Sequence, residues 1–142
     1  TARETRIHVR TWLGLLVVVA ATVCAPRSAE AKDNILASAY APVVNDLLFA
    51  FFATEVPCLG PVDMSDVCFT VEPATAGALA EALEVVVNGY HSAGLRTGEW
   101  RAANGVWAVE LRFGGGAYGH IEVYLTETKR AEVYGKIVLR GP

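Results

Sequence analysis

His120 and Glu122 are the two residues whose types and spacing come closest to acid–base chemistry. They lie two positions apart in a stretch with the alternating pattern of a β-strand, so their side chains project to the same side. A carboxylate in that place could orient the imidazole as a general base. Side chains at this spacing stand ~7 Å apart, and the expected register places no Ser or Cys nucleophile beside them. We therefore assign no catalytic residue here and treat an extracytoplasmic enzyme using this pair as an alternative.

The strand residues around this pair form a polar face that is rich in tyrosine. Tyrosine supplies a large contact area with few rotamers to lose, and its hydroxyl can be satisfied by a partner. This composition favours a recognition surface for a protein. An ordinary solvated sheet face, on which tyrosine serves strand propensity and opposite charges pair across strands, is the alternative. The candidate partner-binding residues are Arg112, Tyr118, His120, Glu122, Tyr124 and Tyr134.

Cys58 and Cys68 are the other candidates for chemistry. A short loop containing Gly60, Pro61 and Asp63 separates them. In an exported domain such a pair predicts a disulfide bond, which would stabilise the fold by roughly 3 kcal/mol on the chain-entropy model. A zinc site would need further ligands, and no histidine lies nearby in sequence. We expect the disulfide, no bound metal and no cofactor.

The first 31 residues have the three parts of a secretory signal peptide. Arg3, Arg6 and Arg10 precede an apolar stretch over 12–25, and Ala29-Glu30-Ala31 offers small residues where a signal peptidase cleaves. The apolar stretch is shorter than the ~20 residues of a membrane-spanning helix. We expect cleavage after Ala31, no membrane association afterwards, and a secreted or periplasmic protein. An uncleaved anchor is the alternative.

The charge of the remaining domain argues against nucleic acid as a partner. The whole chain has 12 basic and 15 acidic residues. Four basic and two acidic residues fall within 1–31, which leaves 8 and 13, a net charge of −5. An acidic domain without a Lys or Arg cluster gives a phosphate backbone little to bind. The 111 residues over 32–142 are enough for one domain.

Two helices are predicted before the last third of the chain. Apolar residues at helical spacing indicate the first over Lys32 to Glu55, with Asp33 as its cap and Pro42 as a kink or a new first turn. Its middle is apolar on all sides, which fits burial in the core or a homodimer contact. A strand over Val67 to Glu72 follows. A second helix then begins at Thr75 and ends at a left-handed Gly94. Its apolar stripe comprises Leu79, Leu83, Val86 and Tyr90.

From Gly98 onward the hydrophobic period changes to two, which predicts four strands in an antiparallel meander. Asn104-Gly105 favours a two-residue turn with positive φ at both positions, pairing Ala103 with Val106. Gly114-Gly115-Gly116 and 127–130 are expected to form the next turns. The predicted buried face comprises Trp100, Trp107, Val109, Leu111, Phe113, Ile121, Val123, Leu125, Val133, Ile137 and Leu139.

The sequence therefore predicts a single α+β domain, with two helices packed on one face of an antiparallel sheet of about five strands. The function it favours is an exported, disulfide-stabilised, non-catalytic domain that binds a protein partner through the tyrosine-rich sheet face. A carrier of a small apolar ligand is a further alternative, with its pocket near Trp100, Trp107 and Phe51.

Overall fold

The computed structural model describes residues 38–59, 66–115 and 117–142, which form the predicted α+β fold. The helices are α1 (Ala41–Ala50) and α2 (Ala76–Gly89), and they pack against each other. The described strands are β1 (Thr54–Val56), β2 (Asp66–Val71), β3 (Leu95–Thr97), β4 (Arg101–Ala103), β5 (Val106–Phe113), β6 (His120–Lys129) and β7 (Glu132–Arg140). The expected signal peptide over 1–31 lies outside the described residues.

The strands form one antiparallel sheet in the order β1-β2-β7-β6-β5-β3, with β4 also paired to β5. The predicted four-strand meander is β4 to β7. The described residues contain seven strands where about five were expected, because β1 and β3 were missed. Each of these two strands has three residues, too few for an alternating pattern to be recognised.

The Asn104–Gly105 turn is confirmed. Both residues have positive φ, 53° and 77°. The turn pairs Ala103 with Val106 and Ala102 with Trp107, which is the predicted register. The hairpin therefore follows from local turn chemistry, because both positions tolerate the left-handed region.

The first helix is shorter than the span predicted for it, and the alternative in which Pro42 lies in a new first turn is confirmed. Helix α1 has 10 residues, with Pro42 in its first turn, and β1 occupies the end of the expected span. The chain leaves the helix where Phe52 adopts a positive φ of 53°. Phe51 is then buried against Phe69 of β2, with ring centroids 5.7 Å apart. Because Phe51 packs against the sheet, the helix ends at Ala50, although the helical pattern of apolar residues continues beyond it. The expected cap, Asp33, lies outside the described residues.

The ends of α2 match the sequence in part. The Thr75 hydroxyl accepts a hydrogen bond from the backbone N–H of Ala78, as expected for a cap. Gly94 has the expected left-handed φ of 92°, but it ends a short 3-10 helix (His91–Ala93) that follows α2. The first turn of α2 also contacts β6, where the Glu127 side chain accepts a hydrogen bond from the N–H of Ala76. The turn expected over 127–130 was wrong in its position, because β6 extends to Lys129.

The apolar core lies on one side of the sheet, and most of the predicted buried face is confirmed. The fully buried members are Val109, Leu111, Ile121, Val123, Leu125, Val133 and Ile137. Trp100, Trp107, Phe113 and Leu139 are only partly buried and pack at the margin of this core. None of the described helices is both long and apolar enough to cross a membrane.

Candidate functional site

The outer face is the side of the sheet that points away from the apolar core, and strand pairing arranges it in rows. Residues paired across neighbouring strands share a face. Arg96 pairs with Arg112, and His120 pairs with Arg140. Leu111 pairs with Ile121, so Arg112 at the next position of β5 continues beside His120. We call Arg96, Arg112, His120 and Arg140 the cationic row.

A second row, which contains three carboxylates, lies directly beside the cationic row. Glu110 of β5 pairs with Glu122 of β6, and Glu122 in turn pairs with Val138 of β7. Asp66 of β2 completes the row opposite Val138. We call Glu110, Glu122, Val138 and Asp66 the carboxylate row. Each arginine on β5 and β7 therefore has a glutamate within reach.

Glu122 is the centre of a hydrogen-bond network that joins the two rows. Its carboxylate accepts hydrogen bonds from the Tyr124 hydroxyl and, at 3.0 Å, from Nε of Arg140. Burial acts to raise the pKa of Glu122, but hydrogen bonds from Tyr124, Arg140 and His120 outweigh it and lower the pKa below its ordinary value. The same contact raises the pKa of the Tyr124 hydroxyl, because the hydroxyl donates to Glu122. Glu122 is therefore held as a carboxylate.

His120 lies closer to Glu122 than its position on the strand suggested. The expected separation was ~7 Å, whereas His120 Nε2 is 3.3 Å from Oε1 of Glu122. The same nitrogen is 4.0 Å from Oε2 of Glu110, so the imidazole lies between two carboxylates. These two carboxylates orient the imidazole.

Arg112 completes this group on β5. Its Nη2 donates to Oε1 of Glu110, two positions away on the same strand. The side chains of Arg112 and Arg140 are 45% and 46% exposed, whereas that of Glu122 is 19% exposed. The Glu122 carboxylate therefore lies lower on the face than the two guanidinium groups, whereas the Glu110 side chain is 37% exposed.

The disulfide between Cys58 and Cys68 is confirmed, and Cys68 is buried on the outer face of β2. Next to Cys58, the N–H of Leu59 donates to the Tyr134 hydroxyl of β7. Val138 of β7 is also on the outer face and is only 3% exposed. We call this part of the outer face, on β2 and β7, the covered half. We call the part on β5, β6 and the edge of β7 that adjoins β6 the open half, because the side chains of Arg112 and Arg140 there are nearly half exposed.

Asp66 is a buried carboxylate at the covered end. Its Oδ2 is 2.8 Å from Nζ of Lys136, and its side chain is 1% exposed. Within the described residues neither carboxylate oxygen accepts a hydrogen bond, so this contact is an ion pair by distance alone. Charge attraction across the β2–β7 pair thus compensates for burial.

The structure brings four of the six candidate residues together and separates two. Arg112, His120, Glu122 and Tyr124 lie on the open half. Tyr134 lies on the covered half and supports the disulfide segment. Tyr118 was expected on a strand but lies in the turn before β6, two positions before His120, where it is 68% exposed.

Neither Arg140 nor Arg96 was among the candidate residues. The signal for Arg140 was its same-face position two strands from Arg112. That relationship depends on the register across β6, which the turn after Phe113 did not fix. Arg96 lies on β3, a strand that the sequence pattern did not reveal. Its guanidinium donates to the carbonyls of His91 and Leu95.

The residues expected around an apolar pocket occupy two separate places. Trp100 and Trp107 contact edge to face, with ring centroids 6.2 Å apart. Phe51 instead packs on Phe69 of β2, three strands from β5 and therefore ~14 Å away across the sheet. The carrier of a small apolar ligand, which was expected to have its pocket near these three rings, stays a prediction.

Helix α1 leaves two large apolar side chains exposed. Phe49 is 81% exposed and Phe52, just after the helix, is 86% exposed, while Val43, Val44 and Leu47 are buried. The exposed pair are the candidates for the expected homodimer contact, which stays a prediction.

No three His, Cys, Asp or Glu side chains of the described residues are grouped so as to hold a metal ion. In comparisons with protein-family models, curated proteins and solved structures, no match to this chain was found. What its own residues show is a small, disulfide-bearing α+β domain with one open, charged sheet face.

Proposed function

We propose that the domain is a non-catalytic binding module whose protein partner docks on the open half of the outer face. The observation that carries this proposal is the network around Glu122, which joins Tyr124, His120 and Arg140. These side chains are held in place yet remain partly exposed. A surface ordered before binding loses less side-chain entropy when a partner arrives.

The chemistry of the face suits recognition. Arginine and tyrosine are enriched at protein interfaces, where they give both contact area and hydrogen bonds. Arg112 projects from the open half, and Tyr118 is exposed in the turn before β6. These two side chains would make the first contacts. The alternation of cationic and carboxylate rows imposes a charge pattern that a partner must match, which gives specificity.

The first test is affinity capture of partners from the secreted and periplasmic fractions of the native organism. The Arg112→Ala, Tyr118→Ala double variant removes two exposed side chains. We expect a cooperative urea unfolding transition, which shows that the variant is folded, together with loss of the captured partner. The matched control is Glu81→Ala, Val85→Ala on the exposed side of α2, which should capture as the original does. Unchanged capture by the Arg112, Tyr118 variant would rule out this face.

We also propose that the protein is secreted or periplasmic. The disulfide is consistent with an oxidising compartment outside the cytoplasm. The test is the intact mass of the natively exported protein, alkylated with and without prior reduction. A species that begins at Lys32 and resists alkylation until reduced is expected. A full-length chain with alkylatable Cys58 and Cys68 would contradict the proposal.

A further inference from the structure

We infer that the partner presents an acidic segment, whose carboxylates are bound by the cationic row. This inference rests on the proposed function, because it names the chemistry of the partner at the same face. Its starting point is the register that aligns Arg112, His120 and Arg140 across three adjacent strands.

The spacing of the row suits a peptide with repeated carboxylates. Neighbouring strands lie about 4.8 Å apart, which places the backbones at Arg112 and Arg140 ~10 Å apart, with His120 between them. Both arginine side chains are nearly half exposed. A partner can therefore reach two guanidinium groups at once with side chains of one segment.

The carboxylate row prepares the arginines for this contact. Glu110 accepts from Nη2 of Arg112, and Glu122 accepts from Nε of Arg140. A guanidinium has five N–H donors in a planar fork, and the contact with Glu110 uses one nitrogen of Arg112. The fork can bind an incoming carboxylate through a second edge, as bidentate arginine–carboxylate pairs do. The internal contacts fix the orientation in which it does so.

The local charge has the sign opposite to that of the whole chain. On β3, β5, β6 and β7 the two rows hold three arginines against two glutamates, with His120 between them. The chain as a whole has a net charge of −3. A positive patch on an acidic protein steers acidic segments to that place, since the rest of the surface repels them.

The same balance favours single carboxylates over a dense polyanion. Glu110 and Glu122 lie immediately beside the arginines, so a sulfated glycan or a nucleic acid would meet two negative charges there. Separate carboxylates can contact the arginines one at a time. The expected partner is therefore a protein with an exposed run of Asp or Glu.

The probe for this inference is a synthetic decaglutamate peptide, titrated into the purified protein and followed by NMR chemical shifts. We expect binding in about 0.01 M salt that weakens markedly at about 0.15 M, since exposed charges are screened. The shifts should cluster at Arg96, Arg112, His120 and Arg140. An Arg112→Gln, Arg140→Gln variant should bind about tenfold more weakly or worse.

Arg130→Gln is the matched control, because this arginine is exposed in the β6–β7 turn, away from the cationic row. It should change affinity less than about twofold. A second double variant, Arg112→Lys with Arg140→Lys, keeps the charge and should retain part of the binding. Urea unfolding of each variant shows whether it is folded.

Three outcomes would overturn the inference: no decaglutamate binding by folded protein at low salt, equal loss in Arg130→Gln, or binding of heparin where decaglutamate does not bind. These results are distinct from failure of the proposed function. If decaglutamate does not bind but the Arg112→Ala, Tyr118→Ala variant still loses partner capture, the outer face is the docking surface and the inference of an acidic partner is wrong. If that variant captures normally, the face itself is wrong.

Discussion

Glu110 and Glu122 are register partners on β5 and β6, so two carboxylates face each other in the middle of the outer face. Like charges directly opposite each other destabilise a sheet unless they are compensated. Here Arg112 compensates Glu110, while Arg140, Tyr124 and His120 surround Glu122. The pair of acids therefore organises the basic and aromatic side chains that the proposed partner would meet.

Glu122→Gln should lower the free energy of unfolding at neutral pH. The difference in this free energy between the variant and the original protein should become smaller in acid. The pKa of Glu122 is lowered in the folded state, so its stabilising effect is present above the unfolded value of ~4.3 and is lost as pH falls through the folded value. Urea unfolding from about pH 7 to about pH 3 measures this. Glu81→Gln on α2 is the control. A difference between Glu122→Gln and the original that stays constant with pH would contradict the assigned ionisation.

Tyr40→Phe should lower the free energy of unfolding by about 1–3 kcal/mol. The Tyr40 hydroxyl is buried, donates to the carbonyl of Gly119 at 2.7 Å and accepts from the N–H of Phe113 at 3.1 Å. Removing it leaves both backbone groups without this partner. Tyr118→Phe, which alters an exposed hydroxyl, should change stability by less than about 0.5 kcal/mol. Amide exchange at Phe113 should also quicken in Tyr40→Phe, and unchanged exchange would argue against the bridge.

Gly135→Ala should destabilise the fold by about 1–3 kcal/mol, because the side chain would enter a filled space. A Cβ at Gly135 would lie 2.1 Å from the ring of Phe69, its register partner on β2. Gly77→Ala is the control, since a Cβ there meets nothing within 4 Å in α2. The control should be neutral or stabilise by about 0.4–1 kcal/mol. Urea midpoints compare the two variants, and equal midpoints would contradict this packing.

Loss of the disulfide should lower stability by about 2–4 kcal/mol. The bond closes a loop of 10 residues in sequence separation and fastens the segment at Cys58 to β2. The measurement is urea unfolding of the Cys58→Ser, Cys68→Ser variant beside the oxidised protein. The reduced original protein should match the variant, which separates the bond from the substitutions. No loss on reduction would show that the closed loop contributes little.

The sequence indicated those parts of the fold that local chemistry determines. Asn104–Gly105 set a turn and its register, and Thr75 marked the start of α2, because both effects act within a few residues. The end of α1 was missed because it depends on the contact of Phe51 with Phe69, which lies 18 positions further along the chain. Strands β1 and β3 were missed because they are short and are defined by their neighbours.

The candidate site shows the same division. Alternation placed His120 and Glu122 on one face, as the structure has them. It could not show that His120 Nε2 approaches Glu122 to 3.3 Å, because side-chain rotamers bring the groups together. Nor could it place Tyr134 under the disulfide segment, since that contact joins residues 75 positions apart.

Site-specific photo-crosslinking, carried out in the secreted and periplasmic fractions of the native organism, tests most directly whether a protein partner binds the outer face. A photoreactive amino acid replaces Arg112 on the open half of the outer face or Tyr118 in the adjoining turn before β6, and Glu81 or Val85 on α2 in the controls. Binding through the outer face predicts one defined adduct from positions 112 and 118 and none from 81 and 85. Adducts from the helix positions alone, or none from 112 and 118 in a folded and exported protein, would contradict it.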